Sequence, residues 1–153
     1  MKKIIYIIVL FYPLVLLAVE KTKEEKVAKY IIENIQKDYV SCYSFYKVSA
    51  ETFKKAGKEK YIIEGLEKSA DITLKFNYDL GEVLGLKPKS MSQTNKKEVK
   101  KFTKIAKSDF QSLAKKYGLI CKELVENQKQ RIDYWEEKGN KKIKWKKNYY
   151  DPN

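Results

Sequence analysis

Between Glu20 and Ala56 the chain has no glycine and no proline, and Ala28, Ile31, Ile35, Tyr39, Cys42, Tyr46, Ser49 and Phe53 recur at alternating steps of three and four residues. That spacing is the period of an α-helix with one buried face, and an apolar stripe of this length has to be covered by other helices. After Gly57 the same period resumes through Ile62, Leu66, Ala70, Thr73, Phe76, Leu80 and Val83, and Gly85 is placed to close this second helix as a C-terminal cap. Runs of alternating polarity are absent, so no apolar residue requires a strand.

The third segment leaves two topologies open. Pro88 suits the first position of a helix carrying Met91, Val99, Phe102 and Ile105. Ser108-Asp109-Phe110-Gln111 matches an S-x-x-Q capping box, which would break the helix at Lys107 and start another through Phe110, Leu113, Tyr117, Ile120, Cys121 and Leu124. Alternatively the helix runs straight on. A short amphipathic piece over residues 128–138 follows, with Ile132, Tyr134 and Trp135. The fold class is all-α: an antiparallel bundle of four helices, or of three long ones, over residues 19–138.

The two cysteines separate these topologies. With an unbroken third helix, Cys42 and Cys121 end about 30 Å apart; with a break at Lys107 the chain returns and brings them within about 10 Å in height. A disulfide needs a Cα separation of about 4.4–6.8 Å, so the bond and the four-helix arrangement stand or fall together. Two buried thiols packing as small apolar residues are the alternative.

Lys2 and Lys3, an apolar run over residues 4–19, and a charged stretch from Glu20 have the layout of a secretory signal peptide, with Ala18 an acceptable cleavage residue. Retention as an anchor competes, but about 16 apolar residues interrupted by Pro13 fall short of the roughly 20 that span a bilayer. Loss of residues 1–18 leaves 31 basic against 20 acidic residues, a net +11. A periplasmic or secreted location follows, where disulfides persist.

Zero histidines exclude His-based triads, HExxH zinc sites, haem axial histidine and imidazole switches. Two distant cysteines supply neither a CxxC redox pair nor four zinc ligands, and the six scattered glycines make no phosphate loop. Glu64, Glu67, Asp71 and Asp79 each have a lysine within about a turn and read as solvated ion pairs, while Asp71 and Asn77 also interrupt an apolar neighbourhood and there read as polar groups bonded within the core. The Ser-x-x-Lys spacings at Ser44–Lys47 and Ser112–Lys115 arise by chance in a lysine-rich helix. The expectation is a protein that is not an enzyme and needs no cofactor.

Charge carries the remaining signal. Lys96, Lys97, Lys100, Lys101, Lys104 and Lys107 surround Val99 and Phe102, with Glu98 alone opposing them. A terminal segment, residues 139–153, interleaves Lys141, Lys142, Lys144, Lys146 and Lys147 with Ile143, Trp145, Tyr149 and Tyr150, and is expected to be disordered until bound. Such clusters attract anionic envelope lipid or glycan, or an acidic protein, with peripheral membrane contact. Nucleic acid is disfavoured: Arg131 is the only arginine, and bidentate recognition depends on guanidinium groups.

Two stretches, Cys42-Tyr43-Ser44-Phe45-Tyr46-Lys47-Val48-Ser49-Ala50-Glu51 and Lys116-Tyr117-Gly118-Leu119-Ile120-Cys121-Lys122-Glu123-Leu124, resemble small uncharacterised exported bacterial all-α proteins with two widely spaced cysteines. The likeness covers residues 39–135 and implies no activity. Exported chaperones of the cradle type are also small, cationic and helical, but their L-T-x-x-Q repeats are not visible here. The functional expectation is a non-enzymatic binding module, with a periplasmic chaperone-like or structural helper as the alternative.

Overall fold

The computed structural model describes residues 22–144; the leader at 1–18 and residues 145–153 of the tail lie outside the described residues. Four helices follow in order: α1, Lys23–Lys55; α2, Lys60–Val83; α3, Pro88–Glu126; and α4, Gln128–Lys142. No strand occurs among the described residues. Local signals set the boundaries. At the start of α1 the Thr22 hydroxyl accepts from the Glu25 N–H at 3.2 Å, and the Glu25 carboxylate accepts from the Thr22 N–H at 3.1 Å, a reciprocal capping box. Gly85 takes φ 70° after α2, which lets the Leu86 N–H reach the Gly81 carbonyl at 2.8 Å. Pro88 opens α3, as its spacing predicts.

The break in α3 exists, but its chemistry differs from the expected S-x-x-Q box. Asp109 departs from helical geometry (φ −155°, ψ 79°), and its own carboxylate caps the new helix by accepting from the Ser112 N–H at 2.8 Å. The Ser108 hydroxyl instead donates back to the Ile105 carbonyl at 3.0 Å. A carboxylate one residue later therefore does the capping. The bend is a reversal: Phe102 and Tyr117 have ring centroids 4.6 Å apart, whereas fifteen residues of straight helix would separate them by about 22 Å.

Contacts along α1 give the chain path. Gln36 meets Asn77 and Tyr39 stacks on Phe76, so α2 runs back along α1. After the reversal, Phe53 packs on Phe110, Cys42 joins Cys121, Gln128 donates to the Tyr39 hydroxyl, and Trp135 stacks edgewise on Tyr30. The second arm of α3 and all of α4 thus descend α1 from one end to the other. The disulfide and the four-helix arrangement occur together, with both cysteines fully buried and their Cα atoms 5.2 Å apart.

A single buried face was expected for α1, and between Ile35 and Ala50 it is buried on nearly every side, including Gln36, Val40, Ser44, Phe45 and Val48. The reason is that α1 touches every other helix and is the axis around which they pack. Its N-terminal end, around Val27 and Tyr30, is covered by α4.

That last helix also departs from expectation. Gly139 was to open the tail; instead the helix continues through Lys142, with Gly139 buried against Tyr30 and Val27. A Cβ at that position would lie 3.0 Å from a Tyr30 ring carbon, so the absent side chain permits close helix approach rather than marking a turn. One cluster anchors α4: the Arg131 guanidinium donates twice to Asp38, at 2.7 and 3.2 Å, and the Trp135 indole N–H donates to the same carboxylate at 2.6 Å.

Because the disulfide closes a segment with a sequence separation of 79, its reduction is expected to lower stability by about 3 kcal/mol, measured as the shift in urea unfolding with and without reductant. Asp38→Ala strips three donor contacts from a half-buried site and should cost about 2–3 kcal/mol. Hydrogen exchange should then quicken across α4 before it does in α2.

Candidate functional site

Residues at helical steps on α1 (Tyr43, Lys47, Glu51, Lys55) face residues at the same steps on the first arm of α3 (Ser92, Lys96, Val99, Thr103, Lys107), and a groove runs between them. Both helices rise in the same direction here, so the α1 and α3 side chains stay in step along its length. It consists of two neighbouring hollows that share Lys47 and Val99. One, of about 420 Å³, is lined by Val48, Thr52, Val99, Thr103 and Ala106 beneath Lys47, Lys55, Lys107 and Glu51. The hydroxyls of Thr52 and Thr103 are spent on their own helices, donating to the Val48 and Val99 carbonyls at 2.8 Å, which leaves this hollow with an apolar floor. The other, of about 410 Å³, is bounded by Tyr43, Lys47, Ser92, Asn95, Lys96 and Lys100, with Leu74 and Tyr78 of α2 as its far wall.

Asn95 belongs to a chain of buried amides. Gln36 Nε2 donates to Asn77 Oδ1 at 2.7 Å, and Asn77 Nδ2 donates to Asn95 Oδ1 at 2.9 Å, which ties α1, α2 and α3 together. The expectation of core bonding is met at Asn77, whose partners come from two other helices, and fails at Asp71, which is exposed. The chain ends unfinished: Asn95 is 5% exposed and its Nδ2 is buried with no acceptor. A buried donor left in that state costs roughly 1–3 kcal/mol, which singles out Asn95 among the lining residues.

The expected lysine cluster divides. Lys96, Lys100 and Lys107 fall within about 40° of one another around α3 and border the groove. Lys97, Lys101 and Lys104 are exposed on the neighbouring side and line neither hollow. Lys101 is engaged by Glu98 at 2.8 Å, and that hydrogen bond raises its pKa. The basic residues of the terminal segment are elsewhere. Lys141 pairs with Glu137, whose pKa this contact lowers; Lys142 lies 5.2 Å from the Tyr30 ring; and Lys144 is exposed. Tyr30 is about 25 Å down α1 from Lys47, so the structure does not join the two clusters. Trp145, Lys146 and Lys147 lie outside the described residues.

Lys47, Lys55 and Asn95 complete the site and were not expected. Lys47 carried the weak signal of a lysine at the centre of an otherwise buried helix, but its significance depends on which helix packs beside it. Of the expected carboxylate pairs, Lys60–Glu64 and Lys75–Asp79 form, at 3.3 and 2.6 Å. Among the described residues, no group of three or more His, Cys, Asp or Glu could hold a metal ion, and no helix is long and apolar enough to cross a membrane. Comparison with protein-family models, with curated proteins and with solved structures finds no match for this chain.

Two further titration shifts fall on tyrosines of the core. Burial pushes the Tyr39 phenol up to about 12, partly opposed by the hydrogen bond from Gln128, and burial with the nearby Glu126 charge raises Tyr46. A raised phenol pKa means that the folded state keeps a proton which the unfolded chain loses near pH 10. Its contribution is intact below pH 10 and is lost as pH climbs from there to about 12. Stability should fall across that window with a Tyr39 component of at most about 1.4 kcal/mol per pH unit, and Tyr39→Phe should flatten the curve in parallel urea titrations.

Proposed function

We propose that this protein is an exported, non-enzymatic helical binding module that presents lysines to an anionic envelope component, lipid or glycan, or to an acidic protein. One observation carries the reading. Lys47, Lys55, Lys96, Lys100 and Lys107 border a single groove, none forms an ion pair with a described residue, and Glu51 is the one acid lining it, while Glu67 and Asp71 line an adjoining hollow that shares Lys47. Like charges gathered along one groove repel one another, and an anionic partner would relieve that repulsion.

Export is supported by the leader-like layout of residues 1–18 and by a buried disulfide of the kind that oxidising compartments sustain. Nucleic acid remains the poorer partner. Arg131, the one guanidinium in the chain, is committed to Asp38 and stacked against Tyr134 and Trp135. The helper-protein alternative would call for a continuous apolar surface, whereas the most exposed apolar side chains of α2, Tyr61 and Val83, stand at opposite ends of that helix.

Co-sedimentation of the full mature chain with anionic and with neutral phospholipid vesicles, and retention on a polyanionic glycan, tests the reading across a salt series. Retention on the anionic materials alone, lost by about 0.5 M salt, is the expected outcome. Equal binding to neutral vesicles, or retention indifferent to salt, would refute it.

A further inference from the structure

The two hollows differ in chemistry in a way that a merely cationic surface would not require. One end of the groove is floored by Val48, Val99 and Ala106, with both neighbouring threonine hydroxyls already bonded within their helices. The other end holds the unfinished amide of Asn95 beside Lys96 and Lys100, and Lys47 stands where the two meet. An acceptor arriving at the polar end would meet three lysines, with the buried Asn95 side chain in the wall between them. An apolar chain continuing from that acceptor would lie along the apolar end, where it removes hydrocarbon from water. Counted along α3 from Ser92 to Lys107, the groove is about 22 Å long, the reach of one extended acyl chain rather than of a lipid bilayer patch. The volumes of about 420 and 410 Å³ fall within the range typical of small-molecule sites.

From this arrangement we infer that the groove between α1 and the first arm of α3 binds one single-chain anionic amphiphile, with its head at Lys96, Lys100 and Lys47 and its chain over Val99 and Ala106. The inference rests on the anionic-partner reading above and narrows it from a charged surface to a one-to-one site for a monomeric lipid-like molecule. Charge complementarity selects the occupant: five lysines against one glutamate disfavour a neutral or cationic chain, and the apolar floor adds nothing for a bare anion. Of the possible anionic heads, a carboxylate or phosphate monoester offers oxygen acceptors to the exposed ammonium groups of Lys47, Lys96 and Lys100.

Isothermal titration of the oxidised full mature chain with dodecanoate, held below its micelle concentration, tests this directly. Dodecyl phosphate, dodecanol, acetate and inorganic phosphate serve as parallel probes. Dodecanoate and dodecyl phosphate are expected to bind one per chain, and the other three to bind at least about tenfold more weakly. Lys47→Glu with Lys100→Glu, both on exposed side chains, should weaken dodecanoate by more than about tenfold while the helical circular dichroism stays unchanged. Asn95→Asp keeps an acceptor for Asn77 but adds a negative charge beside the head lysines, and should also weaken binding of the anionic chain. Ala106→Phe should block the apolar end and spare the charge. Equal binding of dodecanol, or affinities indifferent to the charge reversals, would overturn the inference. Absence of dodecanoate binding alongside salt-sensitive retention on anionic vesicles would overturn it alone, and loss of both would remove the broader reading with it.

Discussion

The reversal of α3 at Asp109 is the constraint on which the rest of the structure depends. Without it the second arm of α3 would leave the bundle, Cys121 could not reach Cys42, and α4 would have no route to the N-terminal third of α1. One residue outside helical geometry, with its carboxylate on the Ser112 N–H, redirects thirty-odd residues along α1. The capping bond makes the bend locally acceptable. The disulfide and the Phe102–Tyr117 contact then hold it, because each joins positions that only a reversed chain brings together.

With α1 as the axis, polar groups specify how its neighbours are aligned. The Gln36–Asn77–Asn95 chain bonds three helices at one level, and a slip of any helix would leave buried amides without partners. Farther down, Asp38 gathers Arg131 and Trp135, so the one guanidinium of the chain serves structure. Apolar contacts hold the helices together, and these directional bonds choose the register. The same alignment sets the parallel rise of α1 and the first arm of α3, and therefore the groove between them.

A protein with so large a lysine excess is cationic nearly everywhere, which makes concentration of charge on one feature more informative than the total. Along the groove, lysines from two helices border an apolar floor and a buried donor lacking an acceptor. Elsewhere, Lys60, Lys75, Lys101 and Lys141 have carboxylates of their own helix as partners. Exposed pairs of that kind contribute little to stability and leave little unsatisfied charge to recruit a ligand.

Much of this was legible in the amino-acid order, because helix formation and helix ends are local. The three-four spacing of apolar residues, Gly85 after α2, Pro88 before α3 and the polar cluster near Asp109 each act over a few residues, so the all-α class could be read from spacing, whereas the helix count and the Cys42–Cys121 pair stayed linked alternatives that the reversal at Asp109 decided. Sequence periodicity did not show that α1 is central, since a stripe reports one covered face and not how many helices surround the rest. Gly139 read as punctuation for a related reason: closeness to Tyr30 is invisible from its neighbours in the chain. The lysines of α3 were recognised as a cluster, but their division into a groove-facing row and an outer set, and the entry of Lys47, Lys55 and Asn95, were decided by packing. Spacing along one helix is set by short-range geometry, whereas a site between helices depends on their relative rotation and height, and side chains distant in sequence determine those.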